Sequence, residues 1–335
     1  MKNTGLMLLV LILLFLPVTG LANPAPAPVG VTADEILAQM TPEERIGQLV
    51  LVTFSGSTVE QGSSIDRLIR EHHISGVVLR QEQDNFLAAP NTAIGVRQLV
   101  SELQTVEYNS SLNEIVTDPV TGAERASVYV PLFVGLSDEE AGVPISQLID
   151  GLSPFPTQMA LGATWNPELA RETGFGLGQE LSSLGVNLYL GPSLDVLEKP
   201  GQAGPGDLGT RSFGGDPYWV SEMGKAYIEG LHEGSGNTLA VVAKHFPGHG
   251  GSDRPVQQEV ATVRKSLDQL LQIELPPFFS VTSEAPGASS EVTDGLLISH
   301  IRYQGFQGNI RETTRPISLD PDAYSQLMEL APIQS

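Results

Sequence analysis

The chain of 335 residues contains no cysteine and few basic residues. The absence of cysteine excludes a disulfide framework, a thiolate nucleophile, a cysteine-based zinc site and a lipid-modified N-terminal cysteine. The 18 Lys and Arg residues against 39 Asp and Glu residues give a formal net charge of -21. Since such a charge repels phosphate backbones and anionic lipid surfaces, nucleic acid is not expected as a partner.

An apolar run from Leu6 to Val18 follows Lys2 near the N-terminus, and small residues lie at Gly20 to Ala22. This order is typical of a secretory signal peptide over residues 1–22. The run is too short to span a bilayer comfortably, so we expect no stable membrane span after signal cleavage, with an uncleaved anchor as the alternative. The protein is therefore expected to be secreted or periplasmic, and residues 23–31, rich in Pro and Ala, to form a short tether.

From residue 32 onward, helical patterns alternate with short apolar runs, which is typical of β-α units around a parallel sheet. The alternation predicts an α/β fold, either a barrel or a doubly wound sheet, over residues 32–335. Six strands are expected, at Ile46 to Phe54, Ile74 to Leu79, Val130 to Leu136, Val186 to Leu190, Leu239 to Ala243 and Gly295 to His300. Because a TIM-type (β/α)8 barrel closes with eight strands, we expect an incomplete barrel with about six β/α units.

Three helices can be placed from the sequence. Thr41 to Glu44 form a capping box with Pro42 at the first helical position, so a helix is expected to start there. Two further helices are expected from about Pro167 to Leu184 and from about Asp320 to Leu330. The polar stretch from Glu107 to Ser127 is expected to be an inserted loop.

The segment Lys-His-Phe-Pro-Gly-His-Gly, which begins at Lys244, closes the fifth strand. Pro247 fixes its own φ angle and Gly248 permits backbone angles closed to other residues, so Lys244 and His245 are expected on a rigid bend. A structural turn is one interpretation, but two histidines and a lysine among three helix-breaking residues favour a functional site. The Pro-Gly pair between His245 and His249 excludes the helical face of a paired-histidine metal site, so no metal site is expected.

Polar side chains follow the expected strands at their carboxyl ends, which face the active-site rim in barrel enzymes. They are Asp138 after the third strand, Asp195 after the fourth, Lys244 and His245 after the fifth and His300 after the sixth. Each alone would be more typical of a capping or packing residue. Together with Arg211, they predict a pocket whose charged groups hydrogen-bond a neutral, hydroxyl-rich ligand.

The Lys-His-Phe-Pro-Gly-His-Gly segment resembles the signature of glycoside hydrolase family 3, and three further segments resemble this family in matching order. These are Ala163 to Pro167, Gly191 to Val196 and Gly209 to Pro217. The nearest pattern is the β-N-acetylhexosaminidase-like branch, and the resemblance covers roughly Thr32 to the C-terminus. It implies the N-terminal barrel domain of the family, truncated here before the strand that carries the nucleophile.

The resemblance also implies roles for individual residues. The positions that match the family's ligands of the non-reducing-end sugar are Asp138, Arg211, Lys244 and His245. The loop after Asp138 departs from the family pattern at Val143, where arginine is common. Asp195 is implied to support the neighbouring loop or to contact Lys244, a purely structural role for it stays open, and His300 is expected as a further supporting residue.

A retaining glycosidase needs a carboxylate nucleophile and a separate proton donor. In the family the nucleophile is an aspartate after the seventh strand. No residue between His300 and Ser335 matches it, since Asp320 and Asp322 belong to a helix start and are expected to be caps. The nucleophile is therefore expected to be absent from this chain.

The proton donor is a second departure from the family pattern. In the N-acetylglucosaminidase branch it is a histidine on the loop after the Lys-His turn, and we align Pro255 with that histidine. Three alternatives stay open: Asp253 as an acid with a raised pKa, His249, or a residue of a missing C-terminal region. A structural Asp253 that pairs with Arg254 or caps the next helix is equally open.

These observations predict a secreted glycoside hydrolase that cleaves terminal β-linked sugars, expected to be N-acetylhexosaminides, by a retaining mechanism without a metal or organic cofactor. One rival hypothesis is a non-catalytic carbohydrate-binding protein or an inactive fragment that lacks the nucleophile. A second is a metal-dependent hydrolase that uses His245, His249 and Asp253. Because an open barrel exposes strand edges, we expect a missing C-terminal segment or a partner chain to complete it.

Overall fold

The structure of the protein is a computed structural model, which describes residues 32–86, 91–113, 115–117, 121–137, 151–197, 208–254, 260–283 and 287–330. The predicted signal peptide (1–22) and tether (23–31) lie outside the described residues, as do Asp138 and Pro255. The chain divides into two units, Met1–Gln39 and Met40–Ser335. Helix α1 (Ala33–Gln39) belongs to the first unit and buries none of its residues. All other described elements belong to the second unit.

The described strands are short, and most of them form one parallel sheet. They are β1 (Leu51–Val52), β2 (Gly76–Val78), β3 (Ile115–Thr117), β4 (Glu124–Ala126), β5 (Phe133–Ser137), β6 (Leu188–Ser193), β7 (Ala240–Phe246), β8 (Thr262–Val263), β9 (Gly295–Ile298) and β10 (Arg302–Tyr303). The main sheet has six strands in the order β1-β2-β5-β6-β7-β9, and every neighbouring pair is parallel. Within the described ranges no pairing joins β9 to β1, so these two strands are the edges of the sheet.

Helices alternate with the strands of the main sheet along the chain. They are α2 (Pro42–Gly47), α3 (Ser64–His72), α4 (Thr92–Asn113), α5 (Gln158–Gly162), α6 (Pro167–Ser183), α7 (Pro217–Ser235), α8 (Leu267–Gln269), α9 (Pro276–Ser280), α10 (Gln304–Gln307) and α11 (Pro321–Met328). None of the helices in the described part of the chain is long and apolar enough to cross a membrane. The alternation places the carboxyl ends of the parallel strands at one end of the sheet.

The prediction of six parallel strands is confirmed, but the first strand is shorter than predicted. The strand expected over Ile46 to Phe54 is reduced to β1 because α2 extends to Gly47. The capping box is confirmed, since Thr41 Oγ1 accepts a hydrogen bond from the Glu44 N–H and the Glu44 carboxylate accepts one from the Thr41 N–H. This box starts a helix that includes Ile46, so the strand cannot begin there.

The inserted loop expected over Glu107 to Ser127 was also wrong in part. Helix α4 continues to Asn113 and buries Glu107, Ser110 and Ser111. Ser111 Oγ donates hydrogen bonds to the Glu107 carbonyl oxygen at 3.0 Å and to its carboxylate at 2.9 Å, so polar side chains satisfy one another within the helix. After α4, β3 and β4 pair as antiparallel strands.

Helices α6 and α7, which flank β6 in the chain, pack backbone against backbone. A Cβ atom at Gly174 of α6 would lie 2.2 Å from the Tyr227 carbonyl oxygen of α7. A Cβ atom at Gly230 of α7 would lie 2.0 Å from the Arg171 carbonyl oxygen of α6. Because only glycine fits at such distances, these residues fix the spacing of the two helices. The pair thereby holds the chain on both sides of β6, whose carboxyl end belongs to the site described below.

Glu44 is a charged residue that is only 2% exposed. Its Oε1 accepts hydrogen bonds from Ser127 Oγ at 2.8 Å and from the Val128 N–H at 3.0 Å, and its Oε2 accepts one from Arg125 at 2.5 Å. Burial alone would raise the pKa of Glu44, but the hydrogen bonds from Thr41, Val128, Ser127 and Arg125 outweigh it and lower the pKa to about 2. Glu44 therefore clamps the start of α2 to the chain that leads into β5.

We expect Glu44→Gln to lower the free energy of unfolding by about 1–3 kcal/mol at neutral pH, since an amide cannot accept all of these hydrogen bonds. The folded pKa lies below that of an unfolded glutamate, about 4.3. The contribution of Glu44 is therefore present above that pH and is lost as the pH falls toward about 2. Urea unfolding at a series of pH values measures it, with Glu43→Gln, an exposed position of the same helix, as the control. Equal losses in the two variants would contradict the clamp.

Candidate functional site

Strand β7 ends in Lys244, His245 and Phe246, so the first two residues of the Lys-His segment belong to the strand itself. The side chain of Lys244 is fully buried, and its Nζ donates a hydrogen bond to Ser137 Oγ at 2.9 Å at the end of β5. The Lys244 carbonyl oxygen accepts a hydrogen bond from the Leu194 N–H at 2.6 Å, directly after β6. Lys244 thus joins the carboxyl ends of three neighbouring strands.

Asp195, two residues after β6, is fully buried and accepts four hydrogen bonds. Its Oδ2 accepts from His245 Nδ1 at 2.7 Å and from Ser193 Oγ at 2.8 Å. Its Oδ1 accepts from the His249 N–H at 2.6 Å and from the His245 N–H at 3.4 Å. Burial alone would raise the pKa of Asp195, but the charge and hydrogen bond of His245, together with His249, outweigh it and hold the pKa well below its usual range. Asp195 is therefore an anion that fixes its neighbours.

The Asp195 carboxylate determines which nitrogen of His245 carries a proton. An ionised carboxylate only accepts hydrogen bonds, so His245 Nδ1 must donate, and Nε2 is the acceptor of the neutral ring. The side chain of His245 is 20% exposed, in contrast to the buried Lys244 beside it. His245 can therefore accept a hydrogen bond from a hydroxyl group of a ligand.

Residues distant in the chain support the turn after β7. Gly248 has a φ of 127°, in the region that favours glycine, and a Cβ atom there would lie 2.4 Å from Glu274 Oε2. Tyr303 of β10 donates a hydrogen bond from its hydroxyl to the Gly248 carbonyl oxygen at 2.8 Å. These contacts place the buried His249 edge-on to His245, with ring centroids 5.4 Å apart.

Arg211 reaches the same network through its neighbour in the chain. It ends a short 3-10 helix, Gly209–Arg211, and its Nε donates to the Leu208 carbonyl oxygen at 3.1 Å. The next residue, Ser212, is buried and donates from Oγ to the Asp195 carbonyl oxygen at 2.7 Å. The residue after Arg211 therefore contacts Asp195, and the part of Arg211 in binding a sugar stays a prediction.

Two other predicted site residues are not joined to Asp195 by the described contacts. Asp138 lies outside the described residues, so its part in binding a sugar stays a prediction. His300 is exposed, two residues after β9, and its Nδ1 is hydrogen-bonded to Ser318 Oγ at 2.9 Å. Its supporting role likewise stays a prediction.

The alternative in which Asp253 is an acid with a raised pKa disagrees with the structure. Its carboxylate accepts hydrogen bonds from the Thr262 N–H at 2.9 Å and from Arg254 Nε at 3.2 Å, and it lies 3.4 Å from Arg264. Burial would raise the pKa of Asp253, but the hydrogen bonds from Thr262 and Arg254 and the charges of Arg254 and Arg264 lower it. Such a carboxyl group is ionised at neutral pH, which makes it a poor proton donor. The geometry agrees with the structural alternative, in which Asp253 pairs with Arg254.

Sequence reasoning missed four residues that hold the site together, namely Ser137, Ser193, Ser212 and Tyr303. Two of them, Ser193 and Ser212, lie inside segments that carry the family resemblance, so a signal was present. Ser137 directly follows the expected third strand. Tyr303 had no local signal, because it contacts Gly248 from β10, a strand that was not predicted.

We expect Asp195→Asn to lower the free energy of unfolding by about 3–5 kcal/mol, because removing one member of a buried ionic network leaves the others uncompensated. Asp253→Asn is the matched carboxylate-to-amide change at a partly exposed position, and its cost is expected to stay within about 1 kcal/mol. Urea unfolding at pH 7 measures both variants. Equal losses of free energy of unfolding in the two variants would show that Asp195 does not hold the site together.

Comparisons with known proteins agree with this geometry. Residues 41–329 match the Glycosyl hydrolase family 3 N terminal domain. The chain is 26% identical over 313 residues to Beta-hexosaminidase LpqI of Mycobacterium tuberculosis (strain ATCC 25618 / H37Rv), an alignment that covers 93% of this chain and 66% of LpqI. It is 32% identical over 154 residues to a Beta-hexosaminidase of Thiobacillus denitrificans (strain ATCC 25259 / T1), which covers 44% of this chain and 40% of that protein.

Among solved structures, the chain is similar to a glycoside hydrolase family 3 beta-N-acetylglucosaminidase from Paenibacillus sp. str. FPU-7, with a TM-score of 0.69 and 26% sequence identity. That similarity covers 86% of this chain and 47% of the Paenibacillus chain. The chain thus spans about two thirds or less of the length of these three relatives. The prediction of a β/α barrel fold with about six parallel strands is confirmed. The chain belongs to glycosyl hydrolase family 3, with its match in the N-terminal domain of that family.

Proposed function

We propose that this chain binds the terminal sugar of β-linked N-acetylhexosaminides as part of an exported glycoside hydrolase with a retaining mechanism. Membership of glycosyl hydrolase family 3 and relatives named beta-hexosaminidase support the reaction class. The Lys2 to Ala22 pattern supports export. The net charge of -21 disfavours anionic polymers as substrates and agrees with a sugar that carries no phosphate.

One observation supports the proposal more than any other, and it is the network around Asp195. The buried anion holds His245 with its Nε2 as a hydrogen-bond acceptor at a partly exposed position. Lys244 supplies a buried positive charge beside it, and Ser212 ties the Arg211 segment to the same residue. Acceptors and cations fixed at the carboxyl ends of parallel strands are suited to a ligand with several hydroxyl groups.

The proposed retaining reaction needs two carboxyl groups that flank the bond to be broken. Asp195 is unsuited to either role, because it is fully buried and accepts four hydrogen bonds. Asp253 is held ionised by its arginine partners. We therefore propose that the nucleophile and the proton donor come from outside the described residues.

The edges of the described sheet support the same proposal. Beside the edge strand β1, Leu49 is 85% exposed, and Leu51 within the strand is 44% exposed. An apolar sheet edge in water promotes association with another strand. We propose that a further segment of a longer protein, or a partner chain, packs at the β1 and β9 edges and supplies the nucleophile.

Sugar binding without hydrolysis is the second candidate function, and the lowered pKa of Asp253 favours it. The two candidates share the same binding site and differ only in whether catalytic carboxyl groups are supplied to it. Binding and hydrolysis must therefore be measured separately.

We expect the 335-residue chain to bind N-acetylglucosamine, and His245→Gln to weaken that binding about 10–100-fold, because a sugar hydroxyl loses the ring acceptor that is paired with a buried anion. Isothermal titration calorimetry measures the dissociation constants. The matched control is His72→Gln, at an exposed position of α3. Binding that is unaffected by His245→Gln, or absent from the wild type, would contradict the proposed site.

We expect the product of the intact gene to hydrolyse 4-nitrophenyl N-acetyl-β-glucosaminide faster than the corresponding β-glucoside, and the activity to be found in the extracytoplasmic fraction. The 335-residue chain alone is expected to hydrolyse neither substrate, because no residue between His300 and Ser335 matches the family nucleophile and Asp195 and Asp253 are unsuited to the reaction. The absorbance of released nitrophenol, measured in separate cell fractions, gives the rate on each substrate and the location of the activity. Inactivity of the intact product on both substrates would favour the binding function, and activity confined to the cytoplasm would reject export.

A further inference from the structure

Asp195, His245 and His249 form a group with the composition of a transition-metal site. Each residue offers one ligand atom, and the three atoms lie within 4.8 Å of one another. The sequence suggested that Pro247 and Gly248 exclude joint ligation by the two histidines, because they prevent a helix. The structure shows that the non-helical turn brings the two rings together by another route, with Asp195 rather than Asp253 as the third member.

The donor set distinguishes among metal ions. Two imidazole nitrogens and one carboxylate oxygen are the protein ligands of many zinc sites that leave a fourth position open. Imidazole ligands suit Zn²⁺ and its neighbours in the transition series, whereas Mg²⁺ and Ca²⁺ prefer sites made of oxygen atoms. Of the three residues, Asp195 and His249 are buried and His245 is 20% exposed, so solvent has access to the group from the His245 side.

The surroundings already orient these side chains. Ser193 Oγ donates to Asp195 Oδ2 at 2.8 Å, and the His249 N–H donates to Asp195 Oδ1 at 2.6 Å. Tyr303 fixes the turn that carries His249 through its bond to Gly248. Hydrogen bonds of this kind to a ligating carboxylate contribute to metal affinity in the same way as the ligands themselves.

Binding of a metal ion would replace the hydrogen bond between His245 and Asp195. His245 Nδ1 donates that bond to Asp195 Oδ2, and the two atoms lie 2.7 Å apart. The ring would change tautomer, with its proton on Nε2 in place of Nδ1, and Nδ1 and the carboxylate oxygen would each coordinate the ion. The bonds from Ser193 and from the His249 N–H to Asp195 would remain as outer contacts.

We propose that Asp195, His245 and His249 form a binding site for Zn²⁺ and that the ion competes with the sugar ligand. Competition follows because a neutral His245 ring with Nδ1 bound to a metal carries its proton on Nε2, so Nε2 no longer accepts a hydrogen bond from a sugar hydroxyl. The competition rests on the proposed sugar-binding function. The metal site itself does not, since it depends only on the geometry of the three side chains.

The test is calorimetric titration of the EDTA-treated and dialysed 335-residue chain with ZnCl₂ and, separately, with MgCl₂. One site for Zn²⁺ and no saturable heat with Mg²⁺ are expected. His249→Gln removes a ligand and Ser193→Ala an outer contact, and each is expected to weaken Zn²⁺ binding roughly 10–100-fold. His72→Gln is the matched control and is expected to leave the affinity unchanged.

Thermal unfolding without metal shows whether each variant is folded. If His249→Gln does not fold, Ser193→Ala still tests the site. Failure of the wild type to bind Zn²⁺, or equal affinity in all variants, would overturn the metal site. Competition is tested by titrating N-acetylglucosamine with and without saturating Zn²⁺, where at least a tenfold loss of sugar affinity is expected. Unchanged sugar affinity would overturn competition alone. Zn²⁺ binding without any sugar binding would reject the proposed function and leave the metal site standing.

Discussion

The burial of the Asp195 carboxylate is the constraint on which the candidate site depends. A carboxylate removed from water is tolerated only when hydrogen-bond donors surround it. These donors come from Ser193 at the end of β6, from His245 at the end of β7 and from His249 in the turn that follows. The three segments must therefore lie within hydrogen-bond distance of one point. The orientation of the partly exposed His245 ring is a consequence of this requirement, and so is the position of the Arg211 segment, which Ser212 ties to Asp195.

Two other carboxylates, the buried Glu44 and the more exposed Asp294, hold segments that lead into strands, and there they contribute to stability. Glu44 joins α2 to the segment before β5. Asp294, directly before β9, accepts hydrogen bonds from His232 Nε2 at 3.0 Å and from the Val241 N–H at 2.7 Å. Burial would raise the pKa of Asp294, but its bonds to His232 and Val241 lower it. Hydrogen-bonded carboxylates thus stabilise the segments at the amino ends of the strands. At the carboxyl ends, Asp195 leaves one functional ring partly open to solvent, in agreement with the division of roles in β/α barrels.

The sequence was sufficient for what depends on local pattern and was insufficient for what depends on distant contacts. The parallel strands follow from apolar runs, and the meeting of Asp195 with His245 follows because the carboxyl ends of neighbouring parallel strands share one edge. The pKa of Asp253 could not be predicted, because its partners Thr262 and Arg264 reach it through β8, a strand of two residues without a periodic pattern. The start of the first strand was predicted too early, since the local capping box at Thr41 starts a helix that includes Ile46 despite the β-propensity of that residue.

A sugar site and a metal site can share the same three residues because both need Asp195 to be an anion. What separates the two states is the position of a single proton, on Nδ1 or on Nε2 of His245. With the proton on Nδ1, the ring is fixed as a donor to Asp195 and as an acceptor on its other nitrogen. With the proton on Nε2, Nδ1 and the same carboxylate become ligands for a cation. One nitrogen cannot serve both purposes at once. Tyr303 and the backbone conformation of Gly248 support the turn that carries His249, so the ring lies beside His245 before either ligand binds.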